Sequence, residues 1–326
     1  MRLREATTKY LQSREFNGYA PNTVRNDRRA LHKIDKILGD IPLLQFNDAA
    51  FDKVMAHEQS RGLGVGSINN IITTGRTFTQ WCQSRGLMAP DQNPASRRYL
   101  KQAPKMHDYL PRHMFTSLLD AATSPRDRII LAMGLYTLAR TSEIQAVTIK
   151  DVDLSTGYVR MIVQKSYDSD LVPMSNELDR ELRRWLTTYA EECGPLQPDW
   201  LLIPGSKTTG YQMVTWNPEA TLAKPEDAVK RALQPLGWKF TGRTGMHLLR
   251  RSSARAMFDT LVEAGYDGAL RRVQTWLHHA NMGQTEQYIG VSLDRDQRDR
   301  ETIGRDMFPT PQSTPLKSAL RATETA

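Results

Sequence analysis

The side chains with chemical potential lie in three short segments of the second half of the chain. Arg140, followed by Thr141-Ser142-Glu143, offers a planar, permanently charged fork matched to two non-bridging phosphate oxygens, with Glu143 near enough to orient it. A plain surface Arg–Glu pair fits the same four residues. His247 and Arg250 stand three apart, so on a helix they share a face and can address one ligand; a solvated helix face has the same spacing. The third segment runs Val273-Gln274-Thr275-Trp276-Leu277-His278-His279 and then on to Tyr288. His279 and Tyr288 are nine positions apart, which at about 100° per residue puts them on opposite sides of one continuous helix. Asn281-Met282-Gly283 supplies a break, so two helices can turn both side chains toward a common point. Without that break Tyr288 reads as a packed core aromatic, and the segment alone leaves that reading open.

The elements that must position these residues are mainly helical. His247 falls in a helix opening near Thr244, and Arg140 at the end of the helix containing Leu131–Leu138. Helices are expected over 111–122, 125–138 and 176–192, with short strands over 147–152, 158–163 and 170–173 and another around 200–203. Ser155-Thr156-Gly157 makes the first turn between strands, and the rest is read as mostly helical to about residue 305. Before residue 95 no strand pattern occurs. Val24, Leu31, Ile34 and Leu38 mark a helix over 22–38, stopped by Gly39. A second follows Asn47, and a third runs from about Ser67 to Arg85, closed by Gly86. The fold class expected is mainly α with a small β-sheet (α+β): a helical domain over 1–95, a linker over 96–109, a mixed domain over 110–305 and a flexible Pro/Ser/Thr-rich tail over 306–326.

Composition narrows the setting. The 326 residues suffice for two domains with cores of their own, and 39% hydrophobic with 25% charged residues fits a globular chain. No apolar run approaches the roughly 20 residues that span a bilayer, and the N-terminus carries charge where a signal peptide needs an apolar core. Cys82 and Cys193 stand far apart with no Cys/His pattern, which argues against a zinc site and fits a reducing cytoplasm. The net charge of +8 is compatible with a polyanionic partner. Arg97, Arg98, Lys101 and Lys105 make the linker cationic, and Arg25, Arg28, Arg29 and Lys33 line the helix over 22–38; all eight are candidates for contact with a phosphate backbone.

Taken in order, Arg140, His247, Arg250, His279 and Tyr288 in these local contexts resemble the tyrosine recombinase (phage integrase) family. Its first box appears as Ala-Arg-Thr-Ser-Glu-Ile, its second as His-Leu-Leu-Arg-Arg-Ser, and its third as Leu-His-His followed by Tyr288. The family's lysine, on a β-hairpin between the first two boxes, maps to Lys165. The helices over 1–95, with Tyr19-Ala-Pro-Asn-Thr, Trp81 and Asn93-Pro94, look like the family's core-binding domain, and residues 110–305 like its catalytic domain. Three positions depart from the pattern: His278 stands where Gly is usual, Arg251 where His is frequent, and Leu138-Ala139-Arg140 replaces the commoner Gly-Leu-Arg. His278 and His279 therefore compete for the third-box role, and the spacing to Tyr288 favours His279.

The resemblance implies a site-specific DNA recombinase that cleaves and rejoins strands through a 3′-phosphotyrosyl intermediate, for integration or excision of a phage or mobile element. Tyr288 would be the nucleophile, His247 its proton acceptor, Arg140 and Arg250 the clamp on the non-bridging oxygens, His279 a further hydrogen-bond donor, and Lys165 the acid for the departing 5′ oxygen. No metal and no cofactor is expected, since arginines take the place of a divalent cation and no ligand cluster or phosphate-binding glycine loop occurs. The implied partners are double-stranded DNA, further copies of the chain in a tetramer held through the segment after Tyr288 (Leu293–Arg305 and the tail), and an accessory directionality or DNA-bending protein, all in the cytoplasm at the nucleoid. The chain starts almost at the core-binding domain, which suggests a recombination site without distant arm sequences. Two other readings stand beside this one. A type IB topoisomerase-like enzyme would share the chemistry but relax DNA by swivelling. A non-catalytic DNA-binding regulator with a recombinase fold would have lost catalytic residues, whereas all six are present.

Overall fold

The computed structural model divides into two compact units, Met1–Pro104 and Lys105–Ala326. It describes residues 1–96, 99–101, 108–163, 168–209, 213–240 and 244–291.

The first unit is built from α1 (Leu3–Phe16), α2 (Pro21–Leu38), α3 (Asp48–Ser60) and α4 (Val65–Ser84). On α2 the spacing predicts the buried face, and Val24, Leu31 and Ile34 are buried there. Pro21 occupies the first turn of α2, where its missing N–H costs nothing. Asn47 caps α3 by accepting from the Ala50 amide at 3.1 Å. Helix α1 is not individually legible in the sequence. Its apolar positions are sparse among charges, and it is held by tertiary contacts: Tyr10 packs edge-on against Phe78 and Trp81. The buried carboxylate of Asp27, on the basic helix α2, accepts from Tyr10, Arg14 and Thr74 and so ties three helices together. The start of the expected linker is pinned to the same unit, since the Asn69 side chain on α4 exchanges two hydrogen bonds with the backbone of Leu100.

In the second unit α6 (Pro125–Tyr136) is the central helix, buried on nearly every face and packed by α5 (Met114–Asp120), α8 (Asn176–Cys193), α9 (Glu226–Leu233) and α10 (Met246–Glu263). Ser124 and Ser175 cap α6 and α8 through Asp127 N and Leu178 N. Gly134 lets α6 meet α10 closely, because a Cβ there would stand 2.7 Å from Leu249 Cδ1. That contact fixes the helix carrying His247 and Arg250. After α7 (Thr141–Ala146) come β1 (Val152–Asp153), β2 (Tyr158–Val163) and β3 (Asp168–Pro173), an antiparallel sheet with Tyr158 opposite Pro173 and Val163 opposite Asp168.

Two strands expected from sequence take other forms. Half of 147–152 is a 3-10 turn, Ile149–Asp151, because Asp151 caps it by accepting from Thr148 N and Oγ1. Around 200–203 only a single bridge from Leu201 to Thr148 forms, and the strands lie just beyond it: β4 (Pro204–Thr209) pairs antiparallel with β5 (Met213–Thr221). The chain ends its described course in α11 (Ala269–Trp276) and α12 (Met282–Ile289), which close a separate apolar cluster with α10 around Leu138, Phe258, Val273, Leu277 and Ile289. Among the described residues no helix is long and apolar enough to cross a membrane.

Candidate active site

Arg140 sits at the N-terminal end of α7, immediately after the chain leaves α6. Thr137 closes α6 by donating to Met133 O at 2.6 Å and accepting from Ala139 N, and Leu138 turns the chain with a left-handed φ of 54°. Glu143, one turn into α7, reaches back: its carboxylate accepts from the Arg140 amide at 2.6 Å and from Arg140 Nη1 at 2.7 Å. The orienting role read from sequence for Glu143 is therefore present as geometry. The same carboxylate lies 3.6 Å from Arg250 Nη1. Burial pushes Glu143 toward its neutral form, but the Arg140 hydrogen bonds and the two guanidinium charges outweigh it and hold the carboxyl below its usual range.

Arg250 is 3% exposed and donates through Nη2 to Leu277 O at 2.8 Å, which ties α10 to the end of α11. Its Nη1 and the Tyr288 hydroxyl are both buried without a hydrogen-bond partner of normal length. Both lie among the guanidinium groups of Arg140, Arg250 and Arg251, and each has a donor to offer an anion. Burial raises the Tyr288 phenol above its ordinary value, against the pull of Arg250, Arg251 and Arg140. The phenol is thus protonated at neutral pH and has to give up its proton on reaction. His247, on the exposed side of α10, is shifted the other way: partial burial and the charges of Arg250, Arg251 and Arg140 lower it, so the imidazole is neutral and able to accept a proton.

The two adjacent histidines part company in the turn between α11 and α12. His278 takes a left-handed φ of 50°, and Asn281 then caps α12 by accepting from Gln284 N at 2.8 Å. The break expected at Asn281–Gly283 exists, but His278 and Asn281 make it, and Gly283 lies within the first turn of α12. As a result His279 meets the Tyr288 ring edge-on with centroids 5.2 Å apart, while His278 points to Asp170 on β3, Nε2 to Oδ2 at 3.1 Å. The His279 ring is further held by Thr285, fully buried, whose hydroxyl lies 3.1 Å from Nδ1.

Arg140, Arg250, His279 and Tyr288 are thus gathered at one place, with His247 within their electrostatic reach. Lys165 lies outside the described residues, as do Arg97, Arg98, Lys105 and the segment after Val291. Of the other backbone-contact candidates, Arg25, Arg29 and Lys101 are exposed; Arg28 pairs with Glu15 at 2.8 Å, and Lys33 with the buried Glu58 at 3.4 Å.

Residues 108–294 match the phage integrase family. A tyrosine recombinase XerC of Mycobacterium sp. (strain KMS) is 31% identical over 233 residues, 68% of this chain and 70% of the relative. This chain belongs to the phage integrase family of tyrosine recombinases. The XerC of Shewanella amazonensis is 27% identical over 300 residues, covering 89% of this chain and 90% of its own. Among solved structures, a lambda integrase (75–356) dimer bound to a COC′ core site superposes with a TM-score of 0.65 at 17% identity, over 87% of this chain and 97% of that one. The Tn1549 transposon integrase in complex with circular intermediate DNA gives 0.64 at 17% identity, over 88% and 95%. At that identity the likeness is one of fold.

Two of this recombinase's departures from the family pattern acquire a backbone reason. Among the described residues Leu138 and His278 are the non-glycine ones with positive φ, and both stand where glycine is usual in the family. A side chain in the left-handed region costs about 1 kcal/mol. At Leu138 burial among Val273, Leu277 and Ile289 offsets it, since burying a leucine contributes about 1.5–3 kcal/mol. The third departure, Arg251, is buried and donates from Nε to Asp108 O, so it anchors the start of this unit on α10. Sequence reasoning noted Arg251 only as a departure from the family pattern and passed over Thr285. The signal for Thr285 was its place three residues before Tyr288, on the same face of α12.

Proposed function

We propose that this recombinase cleaves DNA with Tyr288 as nucleophile and rejoins it from a 3′-phosphotyrosyl intermediate, in the integration or excision of a phage or mobile element. The observation that carries the reading is the pairing of two buried, unsatisfied groups, Arg250 Nη1 and Tyr288 Oη, beside Arg140 and His279. A scissile phosphate placed there would satisfy both, its non-bridging oxygens taking the guanidinium donors. In the forward step the Tyr288 oxygen bonds to phosphorus, the phenolic proton passes to His247, and the bond from phosphorus to the 5′ oxygen breaks. That oxygen takes its proton from Lys165. Charge developing on the phosphorane meets donors already fixed by Glu143, Leu277 O and Thr285, so little reorganisation is needed. The new phosphodiester to tyrosine keeps the energy of the broken linkage, and attack by a 5′-hydroxyl reverses the step without a nucleotide cofactor. DNA is the partner, as in the lambda and Tn1549 integrase complexes. A lambda integrase tetramer has been solved on a Holliday junction, and a tetramer on two sites is the assembly proposed here, joined through the segment after Tyr288.

A duplex nicked just downstream of the cleavage position tests the reading, because the short 5′-hydroxyl fragment diffuses away and traps the protein on the 3′ side. A covalent adduct that forms in the presence of EDTA is the expected result. Dependence on a divalent cation would instead identify a metal-dependent nuclease or transposase chemistry. Strand exchange between two sites, rather than relaxation of a supercoiled circle alone, separates this activity from topoisomerase-like swivelling.

Two further outcomes follow from the assigned proton transfers. If His247 accepts the Tyr288 proton, cleavage falls as pH drops and His247 becomes charged. Its lowered pKa places that acid limb below the ordinary imidazole value of about 6.5. His247→Gln should remove the limb and slow cleavage by about 10²-fold or more, measured by single-turnover kinetics across pH. For Lys165→Ala, cleavage at an ordinary 5′ oxygen should slow by about 10²- to 10⁴-fold, whereas a 5′-thiolate leaving group, which needs no proton, should restore the rate. Equal loss on both substrates removes the acid role.

A further inference from the structure

His278 keeps a side chain where the backbone is left-handed and glycine would be unstrained, yet unlike Leu138 it is not repaid by burial. What its imidazole does reach is Asp170, 3.1 Å away on β3. Both residues line a cavity of about 380 Å3, together with Tyr158, Met161 and Val172 of the β2–β3 hairpin and Thr275 and Trp276 of α11. Apolar packing therefore does not fill the space between hairpin and α11, and a directed polar contact bridges it instead. The hairpin matters because residues 164–167 join β2 to β3, and Lys165 is among them. The turn matters because the residue after His278 is His279, in contact with Tyr288.

We infer that His278 is a positioning residue, whose imidazole clasps Asp170 and so fixes the hairpin that carries Lys165 against the turn that carries His279. This rests on the proposed role of Lys165 as acid. With Nε2 3.1 Å from the Asp170 carboxylate, His278 couples the leaving-group side of the reaction to the nucleophile side. His279 does the local work on the phosphate, and the adjacent histidine sets the distance between the two halves of the site.

The test compares His278→Gly, Asp170→Ala and the double variant with the parent and Lys165→Ala, all as the full chain. Glycine suits the left-handed φ at 278, so loss of folding does not obscure the result. Single-turnover cleavage is measured on paired substrates with a 5′-oxygen or a 5′-thiolate leaving group. Each single variant should lose about tenfold on the oxygen substrate and stay within about twofold of the parent on the thiolate, the mark of a misplaced acid rather than a damaged fold. The double variant should be no slower than either single one. Equal losses on both substrates, unchanged oxygen cleavage, or losses that multiply in the double variant would overturn the inference. Hydrogen exchange supplies a readout independent of Lys165. Amides of residues 169–172 should exchange up to about fivefold faster in both single variants, the scale of a half-exposed ion pair. If Lys165→Ala shows no thiolate rescue, the acid reading fails on its own and exchange decides the clasp; unchanged exchange refutes it.

Discussion

Replacing Tyr288 by Phe should abolish the covalent protein–DNA adduct while leaving the fold at least as stable as the parent. Both halves come from the same atom. The phenolic oxygen is the proposed nucleophile, so its loss removes the group that forms the phosphotyrosyl bond, and no residual adduct should appear on the nicked duplex. In the free protein that oxygen is buried with no hydrogen-bond partner of normal length, a state that costs a buried polar group up to about 1–3 kcal/mol. Phenylalanine keeps the ring in place against His279 and in the cluster with Leu277 and Ile289, so the folding free energy should be unchanged or rise by about 1 kcal/mol. Denaturant unfolding and a gel-shift assay on the same variant check stability and retained DNA binding. An adduct that persists in Tyr288→Phe would reassign the nucleophile, and a fold that collapses would mean the ring packing, not the hydroxyl, had been removed.

Glu143→Ala should be the most damaging substitution outside the groups assigned to the reaction. The carboxylate is buried between Arg140 and Arg250, held ionised by both, and it fixes the Arg140 backbone as well as its guanidinium. Removing it leaves the buried Arg250 guanidinium with no countercharge among the described residues. Breaking a buried pair in this way costs about 3–5 kcal/mol. Cleavage should fall by about 10²-fold beyond any loss of folded protein, because both arms of the proposed phosphate clamp, Arg140 and Arg250, lose the contact that aims them. Glu143→Gln retains the shape and one acceptor and should be milder on both counts. Urea unfolding and single-turnover cleavage under conditions where each variant is fully folded separate the two effects. A Glu143→Ala protein as stable as the parent would show that Arg250 finds another countercharge on its loss.

The local signals in the sequence proved reliable where one residue governs one terminus. Asn47 caps the helix expected after it, and the break expected at Asn281 carries the cap of α12; Pro21, Ser124 and Ser175 start their helices by the same local chemistry. Signals were misleading where a side chain competed with the backbone. The β-branched run at 147–152 turns instead of extending because Asp151 captures Thr148, and the strand expected at 200–203 begins only at Pro204. Helix α1 was unreadable because its stability lies in Tyr10 packing on a helix more than sixty residues away.

For the site, the sequence by itself determined the chemical inventory and its order: Arg140 with Glu143, His247 three before Arg250, and His279 nine before Tyr288. It determined that a break must separate the last two, since one straight helix would hold them on opposite sides. Spacing already favoured His279 for the place beside Tyr288; only the tertiary structure turned His278 to Asp170 and buried Arg250 with an unsatisfied Nη1 beside an unsatisfied phenol. Spacing along a helix fixes which side chains share a face, but the angle between two helices depends on the φ and ψ of the few residues joining them. Here that angle is set by a left-handed histidine in a position where glycine is the family's habit, a conformation the residue type argues against and only the surrounding contacts can hold.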